Sequence, residues 1–200
     1  MTAPVEFWFD FSSGYAYFAA LEIEALAARH GRAVLWRPYL LGVAFQATGA
    51  RGLSNTPLKG DYARRDWARL ARRKGVPFAL PAVHPVATQA ACRVFYWLDE
   101  NLPDAAPGFA RGVLDAHFVD GRDVTDADVL AGLAERQGAP PAAAARAADA
   151  PEMKQRLREV CDGAVERGIF GSPFFVVDDE PFWGWDRLPM LDDWLARGGW

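Results

Sequence analysis

Val5-Glu6-Phe7-Trp8-Phe9-Asp10-Phe11-Ser12-Ser13-Gly14-Tyr15 opens the chain with an apolar run that ends in polar and flexible residues. Val5, Phe7 and Phe9 alternate with Glu6, Trp8 and Asp10, and β-formers dominate, so Val5 to Phe11 reads as a buried strand. Tyr15, Phe18, Leu21 and Leu26 then recur near helical spacing, and Gly31 closes a helix over residues 14–30. Ala33 to Tyr39 reads as a second strand, ended near Pro38. The unit is β-α-β, and its two strands are expected to be parallel and adjacent. Ser13 therefore falls where a strand hands over to a helix. Free N–H groups and partial positive charge at a helix N-terminus favour an anion there.

Residues 40–58 read as loop, with Gly42, Gly49, Gly52, Asn55 and Pro57. Helical patterns follow: Asp61 to Lys74, Val86 to Glu100, Gly108 to Phe118 and Asp126 to Arg136, the last with Thr125 as expected N-cap. The alanine-rich stretch Pro140 to Ala150 is either a helix or a connector. Pro151 to Arg167 is a charged amphipathic helix closed by Gly168. Phe174 to Val177 and Pro181 to Trp183, joined by Asp178-Asp179-Glu180, read as a hairpin, and Leu188 to Ala196 as a last helix. Periodicity alone supports an α/β chain with a helical insert.

Half of the 200 residues are apolar and 13% are aromatic, enough for a sizeable core. The net charge of -4 and the absence of a basic block argue against nucleic acid as a partner. No apolar run approaches the roughly 18–20 residues that span a bilayer, so no membrane role is expected. Residues 1–6 lack a basic region followed by an apolar run, so no secretory signal is expected and a cytoplasmic location follows. Cys92 and Cys161 form no Cys-x-x-Cys and read as buried, reduced residues. His30, His84 and His117 have no metal-ligand spacing, and no metal is expected.

The candidate chemistry is spread along the chain. Ser13 is either a helix N-cap or a hydroxyl that donates to a bound thiolate and lowers its pKa. Ser172-Pro173 is either a trans proline opening a strand or a cis turn that presents the Ser172 backbone to an extended peptide. Asp186 suits an ammonium group and Arg187 a carboxylate; a helix cap beside a surface arginine is the plainer alternative. Asn55, Lys59 and Tyr62 are either solvated residues or contacts for an oxygen-rich anion. Trp183 and Trp185 are either apolar packing or walls for a flat ligand. His84, before Pro85, is a candidate acid–base group.

At these residues the chain resembles the 2-hydroxychromene-2-carboxylate isomerases, relatives of the kappa-class glutathione transferases and, more distantly, of the disulfide-forming thioredoxin-like proteins. The matching stretches are Phe9 to Tyr17, Ser54 to Lys59, Gly75 to Phe78, Phe170 to Pro173 and Trp183 to Leu188, which span nearly the whole chain. The resemblance implies a thioredoxin-like sheet with a helical insertion after the second strand. Residues 1–40 and 169–200, with the helix 151–168, would form the thioredoxin-like domain, and 41–150 the inserted helical domain.

The resemblance also implies glutathione as cofactor, with Ser13 touching its sulfur. The Ser172 backbone and Pro173 would hold the tripeptide, with Asp186 near its γ-glutamyl end. Asn55 and Lys59 match positions in the ligand pocket; on their own chemistry Trp183 and Arg187 are assigned with Asn55 to the cofactor site, and Tyr62, His84 and Trp185 with Lys59 to the site of a small aromatic substrate. The implied reaction is reversible thiolate addition to 2-hydroxychromene-2-carboxylate, rotation, and elimination to trans-o-hydroxybenzylidenepyruvate. A homodimer follows from the resemblance alone. The chain departs from the family pattern at Gly14, where members commonly carry proline, and at Ser172, where many carry valine. Competing readings are a kappa-like glutathione transferase, a non-catalytic binding module and a purely structural dimer. A disulfide oxidoreductase is disfavoured because Ser13 replaces the attacking sulfur.

Overall fold

A computed structural model describes residues 3–200; Met1 and Thr2, the start of the segment read for a secretory signal, lie outside the described residues. Four strands form one sheet in the order β2-β1-β3-β4: β1 (Val5–Phe9), β2 (Val34–Pro38), β3 (Phe174–Val177) and β4 (Glu180–Trp183). β1 pairs parallel with β2, as the β-α-β reading requires, and antiparallel with β3, which forms the expected hairpin with β4. β1 is central and covered on both faces, so Trp8 is buried along with Phe7 and Phe9. Phe7 stacks on Phe9 and Phe175 and meets the edge of Trp36, which ties three strands into one apolar layer.

Between β1 and β2 run α1 (Gly14–Ala20) and α2 (Ile23–Arg29). The single helix expected over 14–30 is thus broken at Leu21 and Glu22. Glu22 is turned to receive the Trp185 indole N–H and the Lys74 ammonium, an attachment no local pattern encodes. Between β2 and β3 come α3 (Leu41–Thr48), α4 (Lys59–Lys74), α5 (Gln89–Asn101), α6 (Ala106–Phe118), α7 (Ala127–Glu135), α8 (Pro141–Ala147) and α9 (Pro151–Glu166); α10 (Leu188–Arg197) follows β4. The α/β class with a thioredoxin-like sheet and a helical insertion after the second strand is the fold observed.

Three local expectations are corrected. Residues 41–48 are helical rather than loop, because Asp10 Oδ2 accepts the Leu41 N–H at 2.9 Å and so caps α3 from another part of the chain. α5 starts at Gln89 rather than Val86, because the Val86 N–H is given to Ser12 Oγ at 3.0 Å. The N-cap of α7 is Asp126, whose carboxylate accepts the Asp128 N–H at 2.8 Å; Thr125 instead turns back to Asp123. The alanine-rich stretch is a helix over Pro141–Ala147.

Candidate active site

β1 ends at Phe9 because the next N–H, that of Asp10, is taken by Ser172 Oγ at 2.8 Å rather than by a strand. This bond places the segment before β3 against the turn that starts α1. The Ser172–Pro173 peptide is cis. Ser13 Oγ lies at the N-cap of α1, accepts the Ala16 N–H at 3.3 Å and donates to the Ser172 carbonyl at 2.9 Å. Ser13 is therefore both the cap and the hydroxyl that faces the proline turn; Ser12 instead fastens Val86. No partner for the Ser172 N–H occurs among the described residues. The Pro173 carbonyl accepts the Gly184 N–H at 3.0 Å, which brings the loop after β4 to the same turn.

Three residues that sequence reasoning assigned no site role hold this geometry. Tyr39, fully buried, donates its hydroxyl to the Gly171 carbonyl at 2.7 Å. Asp10 accepts from Ser12 N, Leu41 N and Thr88 Oγ1 at 2.9, 2.9 and 3.0 Å. Burial pushes the Asp10 carboxyl above its usual pKa, opposed by these three donors. Trp67, from α4, lies against Gly14: a Cβ on Gly14 would stand 2.7 Å from its indole. A carboxylate at the end of an apolar strand was the one available signal for Asp10; Tyr39 and Trp67 look like ordinary core aromatics.

Asp186 lies beside the turn. Its Oδ1 sits over Gly184, where an added Cβ would approach to 2.6 Å, and its charge helps raise the Tyr15 hydroxyl pKa, after burial and the Asp66 hydrogen bond. Asp186 and Arg187 are paired at 2.8 Å and exposed. Arg187 and Trp183 line a separate cavity between β4 and α10. Trp183 also covers Gly171, where no side chain would fit. Trp185 is fixed through its indole N–H to Glu22 at 2.9 Å, and Lys74 covers one of its faces at 4.7 Å, leaving at most the other face to a flat ligand.

Asn55 closes a 3-10 turn at Leu53–Asn55, and Lys59 opens α4 as an exposed residue. Tyr62 is exposed, with Arg69 5.9 Å above its ring. His84, in a second cis X-Pro bond with Pro85, has Nε2 3.1 Å from Ser54 Oγ. Burial, followed by His117 and Arg64, lowers its pKa to about 4, so the imidazole is neutral at pH 7. Cys92 and Cys161 are buried and unpaired, and burial pushes both thiols up. Neither supplies a nucleophile. Among the described residues no helix is long and apolar enough to cross a membrane, and no group of three His, Cys, Asp or Glu could hold a metal ion.

Comparison with known proteins bears on the family and the fold. The model of the DSBA-like thioredoxin domain matches residues 4–196. A 2-hydroxychromene-2-carboxylate isomerase of Sphingobium xenophagum is 32% identical over 197 residues, covering 98% of this chain and 99% of that protein. The kappa 2 glutathione S-transferase of Caenorhabditis elegans is 26% identical, covering 96% of this chain and 92% of that protein. A solved 2-hydroxychromene-2-carboxylate isomerase structure superposes with a TM-score of 0.87 at 27% identity, covering 96% of this chain and 94% of the other.

Proposed function

This chain belongs to the DSBA-like thioredoxin domain family and, within it, to the 2-hydroxychromene-2-carboxylate isomerases, and from that premise we propose that it is a glutathione-dependent isomerase. Its reaction would interconvert 2-hydroxychromene-2-carboxylate and trans-o-hydroxybenzylidenepyruvate, or a related aromatic breakdown intermediate. The observation that carries this reading is the Ser13 hydroxyl, capping α1 and 2.9 Å from the Ser172 carbonyl on the cis-proline turn. A serine there holds a thiol it does not own.

The residues fit a tripeptide thiol. The unpartnered Ser172 N–H offers a strand-like bond to an extended peptide. Asp186, beside Gly184, suits the γ-glutamyl ammonium. Asn55 suits the carboxylate end of the tripeptide, and Lys59 the carboxylate of the substrate. The Ser13 hydroxyl donates its hydrogen bond to the thiolate sulfur instead of the Ser172 carbonyl, and the α1 N-terminus adds partial positive charge. Bound glutathione supplies the nucleophile whose reversible addition frees a double bond to rotate. His84, neutral and held by Ser54, is proposed to take or return the proton of the substrate hydroxyl, and Tyr62 and the open face of Trp185 to bound the aromatic ring. The same reading places the protein in the cytoplasm, where glutathione is kept reduced.

The test is glutathione binding by calorimetry with the ultraviolet absorbance of the thiolate, for the wild type and Ser13→Ala. A hydrogen bond to a charged group contributes about 1.5–3 kcal/mol, so Ser13→Ala is expected to raise the bound thiol pKa by about 1–2 units. Equal thiolate content in both proteins, or no binding at millimolar glutathione, removes the proposal. A kappa-like transferase is the second reading, favoured by the match to the nematode transferase. Conversion of the chromene carboxylate without consumption of glutathione separates isomerase from transferase.

A further inference from the structure

Of the ten large apolar side chains exposed among the described residues, three converge on one place: Trp183 at 57%, Met190 at 46% and Trp200 at 62%. With Phe182, Trp194 and Arg187 they line a cavity of about 360 Å³ between the edge strand β4 and α10. The cavity is built by the chain's own turn. Gly198 and Gly199 have φ of 73° and 97°, and this double left-handed bend folds Trp200 back to within 5.0 Å of the Trp194 ring. A Cβ on Gly199 would stand 3.2 Å from that ring. Trp194 also meets Phe182 edge-on at 5.9 Å.

Two donors serve this aromatic slot. The Trp194 indole N–H is shut off from solvent and has no hydrogen-bond partner. A donor buried in that way is left unsatisfied until an acceptor reaches it, and the exposed Trp200 ring packs edge-on against this indole. Arg187 is the one cation of the lining; its bond to Asp186 uses Nη1, both partners are exposed, and the pair is correspondingly weak. Its other N–H groups remain available to a carboxylate. Glu180 lies at the opposite end of β4, about 10 Å away along the strand, and repels an anion at that end. The slot is therefore apolar and aromatic along its length and selective for negative charge at one end.

We propose that this cavity is a second ligand site, distinct from the Ser13 turn, that takes a flat aromatic carboxylate. Its ring lies among Trp183, Trp194 and Trp200, and its carboxylate oxygens accept from Arg187 and the Trp194 indole N–H. The site does not depend on the glutathione reading.

The probe is benzoate, followed through the indole N–H resonances of ¹⁵N-labelled protein, with the Trp194 signal identified by Trp194→Phe. Benzoate is expected to shift the Trp194 signal saturably. Benzamide, which lacks the charge, and benzylamine, which reverses it, are each expected to bind at least tenfold more weakly. Arg187→Gln is expected to weaken benzoate at least fivefold, while Ser13→Ala leaves it unchanged. A Trp194 signal unmoved at tens of millimolar benzoate overturns the proposal, as does equal binding of benzylamine. Loss of benzoate binding in Ser13→Ala would assign the ligand to the Ser13 turn instead. A concentration-dependent dimer in sedimentation, dissociated by Met190→Glu, would show that a second copy of the chain covers this face, which also overturns it.

Discussion

Gly14→Ala separates what helix propensity predicts from what the packing dictates. Gly14 is the first residue of α1, with no need for a left-handed conformation. Replacing such a glycine by alanine ordinarily stabilises by about 0.4–1 kcal/mol, mostly by restricting the unfolded chain. Here the added Cβ would meet Trp67 Cε2, Cδ2 and Nε1 at 2.7, 2.9 and 3.0 Å. Ordinary carbon contacts lie near 3.5–4.0 Å, so the indole must retreat by about 0.8 Å. It has little room: Trp67 is 3% exposed and lies against Tyr15, Phe78 and His84. Overpacking of this kind costs about 1–3 kcal/mol. The net expectation is a loss of about 1–2 kcal/mol, or roughly 2–8 °C in Tm for a domain of this size.

The assay is urea unfolding of the wild type, Gly14→Ala, Trp67→Leu and the double variant. In the Trp67→Leu background the alanine is expected to become neutral or stabilising, a coupling of at least about 1 kcal/mol between the two positions. A Gly14→Ala protein as stable as the wild type, with no coupling to position 67, would refute the steric argument. A proline at position 14 would meet the same collision, since its Cβ fills the same volume.

Other perturbations act on the supports of the site. Tyr39→Phe leaves the buried Gly171 carbonyl without its donor and is expected to cost about 1–2 kcal/mol in urea unfolding; a loss below about 0.5 kcal/mol would contradict the bond. Asp10→Asn turns an NH₂ group towards the Leu41 N–H in one orientation and towards the Ser12 N–H and the Thr88 hydroxyl in the other. A loss of about 1–3 kcal/mol is expected, and an unchanged midpoint would show that the carboxylate is not needed. His117 is 1% exposed, and burial lowers its pKa from 6.5 to about 4. Below pH 6.5 the unfolded chain binds the proton more readily, so this stability is present above pH 6.5 and is lost as pH falls towards 4. By pH 4.5 the loss is about 2–3 kcal/mol. His117→Leu should lose correspondingly less between pH 7 and 4.5, and parallel pH curves for the two proteins would count against it.

The sequence carried the parts that depend on near neighbours. The strand–turn–helix at Val5 to Ala20, the hairpin around Asp178-Asp179, and the cap character of Ser13 all follow from alternation, helical spacing and the residues at element ends. The resemblance at Ser13, Ser172-Pro173 and Asp186 named the family. What the chain did not disclose locally were contacts between distant segments. α3 exists where glycines suggested a loop because Asp10 caps it. The helix after β1 breaks where Glu22 reaches Trp185 and Lys74. That Ser13 caps α1 and faces the cis-proline turn at once is visible only with the Ser172 carbonyl 2.9 Å away, and the crowding at Gly14 comes only from Trp67. Periodicity and propensity report the energy of a residue with neighbours a few positions away. A hydrogen bond or steric contact across 50 to 160 residues is set by how the whole core closes, and only the tertiary structure decides it.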